Sequence, residues 1–328
     1  MIVECAGSPN VKRILVFGFS VTELKDGYFA TVANLLDKEY ELTKIGIGGA
    51  SLSVVPYLST ILKYHHYDYV LFEIGTCIRF AEEQPAKYDD LISEIIDACR
   101  RSGALACFVN LFRDKINYEH DNLSRAIESS AKSNNLPFLD LIRPLIKIKH
   151  AGEMANYLYD GTHTTPNGAI YYGQKIAKFI RTLPNWANTI KLEVVTNKVM
   201  FLIEGFCDSH GEMSRGGLKL PFSKLEEGRA LKGTVPIDMK FRGLIFIMGP
   251  DTGVFEVSSS KITRKVNAYD QFCYYERFSY WLRNESNSHE FYIRQTVIEP
   301  AVTLKKGQPF SGPKVGRLVG IFAERCCL

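Results

Sequence analysis

From residue 12 to about 182 the chain alternates between two textures. Short apolar runs fall at Arg13 to Phe17, Tyr40 to Ile45, Tyr67 to Ile74, Ala104 to Asn110 and Pro137 to Ile142. Between them, apolar residues recur at helical spacing over Leu24 to Leu36, Leu52 to Tyr64, Tyr88 to Arg101, Leu123 to Asn134 and Pro166 to Leu183. Runs such as YDYVLFEIG and ALACFVN are apolar at successive positions, as strands buried on both faces must be. Five strand-then-helix units in sequence predict a parallel sheet wrapped by helices on both sides.

Past RTLPNWANT the pattern changes. From about Lys191 onward no long helical period appears. Short β-rich runs separated by turn residues take its place, among them KVMFLIEG, LKGTVPIDMKF, RGLIFIMG, PDTGVFEVS, EFYIRQTVIEP and GRLVGIFAE. About eight strands at that spacing suggest a β-sandwich or jelly roll. The expected division is an α/β domain over residues 1–185 and a β-sandwich over 190–328, with the boundary between Pro184 and Thr189.

Composition narrows the class. A chain of 328 residues is long for one domain, and 46% hydrophobic residues suffice for two cores. The net charge of +4 is weak and spread out, which argues against nucleic acid and anionic membranes as partners. No segment approaches the roughly eighteen apolar residues of a membrane span, and no signal-peptide pattern opens the chain, so a cytoplasmic protein is expected. The eight cysteines lack metal-ligand spacing, and several lie inside apolar runs, where reduced, buried thiols are expected. His120, His150, His210 and His289 show no ligand spacing either, and His65-His66 at the exit of a helix reads as a solvated or dipole-facing pair, so neither metal nor cofactor is implied.

In an open parallel sheet, ligands gather beyond the carboxyl ends of the strands. Ser20, in FGFSVTE, directly follows the first strand. It could cap the following helix, or present its hydroxyl as a nucleophile. GIGGAS follows the second strand, EIGTCIRF ends the third, and YDGTHTTPNG precedes the last helix. Ester chemistry needs a hydroxyl, a base to activate it, a carboxylate to fix the base's tautomer, and donors for the developing oxyanion. Ser20, His163 and Asp160 supply the first three residue types, and the spacing of Asp160 and His163 could let carboxylate and ring meet.

The order of these motifs resembles the SGNH, or GDSL-type, hydrolases. GFSVT matches the Gly-Asp-Ser-x-Thr block with Phe19 in place of aspartate, and the resemblance implies Ser20 as nucleophile. GIGGAS matches the second block, implying the Gly49 amide beside that of Ser20 as oxyanion donors. GTCI aligns with the Gly-x-Asn-Asp block and puts Cys77 at the oxyanion asparagine; a thiol is a poor donor, and Arg79 or Asn110 at neighbouring strand ends could substitute. Asp160 and His163 match the final Asp-x-x-His block. Over residues 12 to 182 the resemblance implies a flavodoxin-like three-layer sheet.

The resemblance further implies acyl-ester hydrolysis, with an acylated carbohydrate or another small acyl ester as substrate. The appended all-β module favours O-acetyl groups on a sugar. Two alternatives remain open: a polysaccharide O-acyltransferase using a donor such as acetyl-CoA, and a degenerate domain serving as a glycan-binding or scaffolding module. In FCYYERFSYW, strand alternation places Tyr275, Arg277 and Trp281 on one face, a set that could stack and hydrogen-bond sugars or simply pack. No oligomeric state is implied.

Overall fold

The computed structural model describes residues 11–77, 85–118, 120–186, 197–203, 210–215, 218–260, 262–269, 275–283, 287–296, 298, 310 and 312–326. The chain divides into two compact units, Met1–Val194 with Arg215–Leu218, and Val195–Ser214 with Lys219–Leu328.

The first unit is built on five strands: β1 (Lys12–Gly18), β2 (Tyr40–Gly46), β3 (Tyr69–Glu73), β4 (Leu105–Asn110) and β5 (Phe138–Asp140). Their order is β2-β1-β3-β4-β5, and every neighbouring pair is parallel. This is the flavodoxin-like order expected, in which the chain reverses direction between β1 and β3. Buried alternate residues explain the three layers. Ile14, Val16, Tyr69, Leu71, Leu105, Cys107 and Val109 form one core with residues of α2 (Tyr28–Leu36) and α7 (Pro166–Arg181). The rings of Phe17, Phe72 and Phe108 pack in a row on neighbouring strands, with centroids 5.8 and 5.6 Å apart. α4 (Pro85–Ser102) and α5 (Asn122–Ser133) both pack against β4.

Three elements differ from expectation. The helix expected over Leu24 to Leu36 begins only at Tyr28, as α2; a separate short helix, α1 (Ser20–Glu23), precedes it, and a turn ending at Gly27 lies between them. Leu52 to Tyr64 is no continuous helix. It runs as a 3-10 turn (Leu52–Val54), the four-residue α3 (Val55–Leu58) and a second 3-10 segment (Ser59–Lys63). Pro56 lacks an amide donor, while Ser59 and Thr60 turn their hydroxyls onto the carbonyls of Val55 and Tyr57, offering the backbone an alternative to α-helical bonding. An unexpected helix, α6 (Ile142–His150), follows β5.

The second unit has ten strands among the described residues. They are β6 (Lys198–Leu202), β7 (His210–Arg215), β8 (Leu218–Glu226), β9 (Ala230–Thr234), β10 (Met239–Met248), β11 (Val254–Ser259), β12 (Ile262–Asn267), β13 (Arg277–Leu282), β14 (Glu290–Gln295) and β15 (Val315–Arg325). One sheet runs β13-β10-β15-β8-β7 with β6 beside β15; the other runs β12-β11-β14-β9. Their facing residues share one core, in which Phe241 stacks on Phe291 at 5.2 Å and Phe246 meets Phe255 edge-on at 5.6 Å. That is the expected sandwich. The runs LKGTVPIDMKF and RGLIFIMG are not separate strands at their junction: β10 continues through Arg242 and Gly243, with a register shift against β15 where Gly243 takes φ 155°.

Candidate active site

The loops after β1, β2, β3 and β4 and the segment before α7 carry the site. β1 ends at Gly18 and the chain turns at once into α1, so Ser20 is the first helical residue of a single turn. Phe19 occupies the cap position, and no side chain caps this helix. The Ser20 hydroxyl is therefore not spent on capping. Its Oγ instead lies 2.9 Å from Nε2 of His163. The turn is tight enough to demand glycine before it: a Cβ on Gly18 would stand 2.0 Å from Thr22 Oγ1 and 2.8 Å from Glu73 Oε2.

His163 is fixed by its own loop. Leu158 and Thr164 form an antiparallel bridge, and the Tyr159 amide donates to the His163 carbonyl at 3.1 Å. Inside that loop Asp160 Oδ1 accepts the amides of Thr162 (3.0 Å) and His163 (2.8 Å), while Oδ2 lies 2.7 Å from His163 Nδ1. A carboxylate facing Nδ1 makes that nitrogen the N–H bearer, which leaves Nε2 as an acceptor for the Ser20 proton. Burial alone would raise the Asp160 carboxyl, but the His163 amide and ring and the Thr162 amide outweigh it and hold it below its ordinary range. Beyond the loop, Pro166 opens α7 and Thr165 caps it by accepting from the Gly168 amide at 3.2 Å. The Tyr159 ring, largely exposed, stacks on the His163 ring at 5.8 Å and 19°.

Gly49 sits in the turn after β2, exposed, at a left-handed φ of 73° that glycine tolerates best. The exits of β1 and β2 are joined by the Ile47 amide, which donates to the Gly18 carbonyl at 3.1 Å. Cys77 is buried after β3, and its carbonyl and that of Thr76 accept from the Arg113 guanidinium, which arrives from the loop after β4. The next residue, Asp114, donates its amide to the Gly161 carbonyl at 2.7 Å. One short segment thus touches both the loop of Cys77 and the loop of Asp160.

Of the substitutes proposed for the missing asparagine, Arg79 lies outside the described residues. Asn110 is buried at the end of β4 and gives its amide to the Ser124 carbonyl at 3.3 Å, an engagement with α5. In the second unit Tyr275 precedes β13, Arg277 opens that strand, and Trp281 packs on the sandwich core against Phe241 at 6.5 Å. Trp281 accordingly takes the ordinary packing role of its strand. Among the described residues no cluster of histidine, cysteine and acidic side chains is arranged to hold a metal ion. No described helix is long and apolar enough to cross a membrane.

Glu73, Tyr159 and Arg113 were not singled out by the sequence. Glu73 ends β3 fully buried, with Oε2 accepting from Thr22 Oγ1 at 2.9 Å and Oε1 from Thr76 Oγ1 at 2.5 Å. Burial pushes its carboxyl up to about 7, against those two hydroxyls and the amides of Phe19 and Thr76. The signal was an acid inside an otherwise apolar strand, YVLFE.

No family model matches the chain, and no curated protein does. Solved structures do. A two-domain esterase active on acetylated mannans, crystallised with mannopentaose, is similar over 97% of this chain and 92% of its own, with a TM-score of 0.59 at 14% identity. A lipase/acylhydrolase from Enterococcus faecalis aligns over 54% of this chain and all of its own, with a TM-score of 0.45 at 16% identity. An acetylxylan esterase from Geobacillus stearothermophilus aligns over 52% and 94%, also at 0.45 and 16%. The first match spans both units. The chain therefore has the SGNH-type α/β fold followed by antiparallel β-sheets, as its motifs suggested.

Proposed function

We propose that this protein is a serine esterase that removes O-acetyl groups from a carbohydrate. The observation that carries the reading is the chain of contacts from Ser20 Oγ to His163 Nε2 at 2.9 Å and from His163 Nδ1 to Asp160 Oδ2 at 2.7 Å. In this reading Ser20 attacks the acetyl carbonyl and its proton passes to His163 Nε2. The amides of Ser20 and Gly49 receive the oxyanion; the first amides of a helix lack internal partners, so that of Ser20 is available in principle. Collapse of the intermediate breaks the ester C–O bond, and His163 returns the proton to the departing sugar hydroxyl. Water then attacks the acetyl-serine with His163 again as base, releasing acetate and restoring the Ser20 hydroxyl.

The substrate class rests on a likeness of fold to an esterase active on acetylated mannans, which spans both units. That likeness favours water over a sugar hydroxyl as acceptor, and the assembled Ser20–His163–Asp160 contacts speak against a purely binding module. The test is hydrolysis of p-nitrophenyl acetate and of acetylated mannan and xylan by wild type and Ser20→Ala. Release of acetate that Ser20→Ala abolishes is expected. Equal rates for the two proteins would overturn the reading.

A further inference from the structure

Glu73 is a buried acid to which the reaction above gives no part. It joins two loops of the site. From the turn that presents Ser20 it accepts the Thr22 hydroxyl, and from the loop that carries Cys77 it accepts the Thr76 hydroxyl, while the Phe19 and Thr76 amides of the same two segments favour its charged form. Phe19 directly precedes Ser20, and Thr76 directly precedes Cys77. Resting on the esterase reading, we infer that Glu73 is a positioning residue whose carboxylate holds the nucleophile turn and the Cys77 loop in register, so that turnover requires Glu73 to be ionised.

The direction of the hydrogen bonds gives the reason. Thr22 donates its single proton to Glu73, so Tyr28, 2.7 Å from Thr22 Oγ1, must donate to Thr22. An ionised Glu73 thus receives two hydroxyl donors, one from each loop, with an amide on each of the same segments favouring the charge. A protonated Glu73 has a proton to give, and the two amides cannot take it. Either Thr76 or Thr22 must turn from donor to acceptor, and reversal at Thr22 passes on to Tyr28. Protonation therefore replaces charge-assisted bonds to both loops with weaker neutral ones, reverses one of them, and leaves that threonine's own proton without Glu73 as its acceptor. Burying a carboxylate is expensive unless donors surround it, and an acid retained here keeps both states within reach of neutral pH.

The ionisable groups of the surrounding elements are Glu23 on α1, Tyr28 on α2, Tyr172 on α7, and Arg113, which is bonded to the Thr76 carbonyl. Burial, and then the charge of Glu73, pushes the Tyr28 phenol up; Tyr172 is also raised, by burial first and in lesser part by Glu73. Both phenols stay neutral across the range in which Glu73 changes state.

The experiment is the pH profile of kcat/KM for acetyl-ester hydrolysis in wild type, Glu73→Gln and Thr22→Val, together with a 13C NMR titration of side-chain carboxyls in glutamate-labelled protein. For wild type, log kcat/KM should fall on the acid side with a slope approaching 2, one proton of which is taken up by Glu73. Glu73→Gln should lower kcat and reduce that slope to 1, and it should remove one carboxyl resonance that titrates near neutrality. Thr22→Val keeps the carboxylate and cuts one arm; it should lower kcat more than it changes KM while retaining two ionisations. If Glu73→Gln does not fold, the NMR titration of wild type and the Thr22→Val profile decide. A Glu73 carboxyl titrating below pH 5, or acid limbs of slope 1 in wild type and Thr22→Val, overturns the inference. Absence of ester turnover by wild type at every pH overturns the esterase reading, and the required ionisation falls with it.

Discussion

His163 is bound twice by one carboxylate: Asp160 Oδ2 faces its ring Nδ1 at 2.7 Å and Oδ1 takes its backbone amide at 2.8 Å. Loop shape and ring tautomer are thus set by the same side chain. Asp160→Asn keeps an oxygen for the amide but can turn an NH2 toward the ring, which favours the wrong tautomer. We expect kcat to fall by about 10³ to 10⁴ with KM little changed. Steady-state kinetics on an acetyl ester would check this; a loss under about tenfold would contradict it.

The loop of Cys77 hangs by its carbonyls from Arg113. Arg113→Gln should lower kcat by roughly 10 to 100-fold, less than the roughly 10² to 10³ for removing an oxyanion donor outright, because the loop is displaced rather than stripped of its groups. Cys77→Asn restores the amide of the family pattern and should recover part of that loss in the Arg113→Gln background. Comparing the two single variants with the double variant measures the coupling; strict additivity would contradict a shared role.

Tyr159 offers a flat face beside the base, its ring stacked on that of His163. Tyr159→Ala should leave p-nitrophenyl acetate hydrolysis within a few fold and raise KM for acetylated oligosaccharides by about 3 to 10-fold, as expected for one lost aromatic contact worth about 0.5–1.5 kcal/mol. An unchanged oligosaccharide KM would remove Tyr159 from the substrate face.

Gly18 has no room for a side chain, with Thr22 Oγ1 and Glu73 Oε2 in the place of its Cβ. Gly18→Ala should destabilise the fold by about 1–3 kcal/mol through overpacking and reduce activity further by displacing the turn that holds Ser20. Denaturant unfolding and ester hydrolysis on the folded fraction separate the two effects.

Asp160 and Glu73 pull stability in opposite directions as pH changes. The Asp160 carboxyl is held low in the folded state, so its contribution is present above the unfolded value and lost as pH falls through the folded one. The Glu73 carboxyl is raised to about 7, so its contribution is present below the unfolded value near 4.5 and lost as pH rises through about 7. A shift of that size corresponds to roughly 3 kcal/mol. Relative to Glu73→Gln, wild type should therefore lose about that much stability between pH 4 and pH 8. Urea unfolding of both proteins across this range checks the sign.

Much of this was legible in the chain. β1, β3 and β4 are apolar on both faces, and that pattern belongs to a strand inside a wound sheet. Ser20 was placed by following the end of β1, and Asp160 with His163 by their spacing before a helix. Where the reading missed, a competing local cause was present. The segment 52–64 has helical spacing, yet Pro56, Ser59 and Thr60 break it into short turns. α6 carries Ile-Lys-Ile-Lys, a period of two, and a proline near its start, which mask a helix. β12, ITRKVN, is mostly exposed and has little apolar signal to read. Arg113 escaped because its partners lie on another loop, a relation that residue spacing does not carry; Glu73 escaped although an acid ending an apolar strand marked it, since its contact with Thr22 joins segments 51 residues apart.

The Ser20–His163 contact closes a span of 143 residues, from the turn after the first strand to the loop before α7. No partial chain that stops short of that loop contains a complete site. For the proposed esterase, a nascent chain should be inert toward esters until nearly the whole α/β unit has been made, and recovery of activity after dilution from denaturant should report the last joining of distant segments rather than the appearance of helix or sheet. On the esterase reading, activity would double as a clock for folding, one that starts only when the ends of the unit have met.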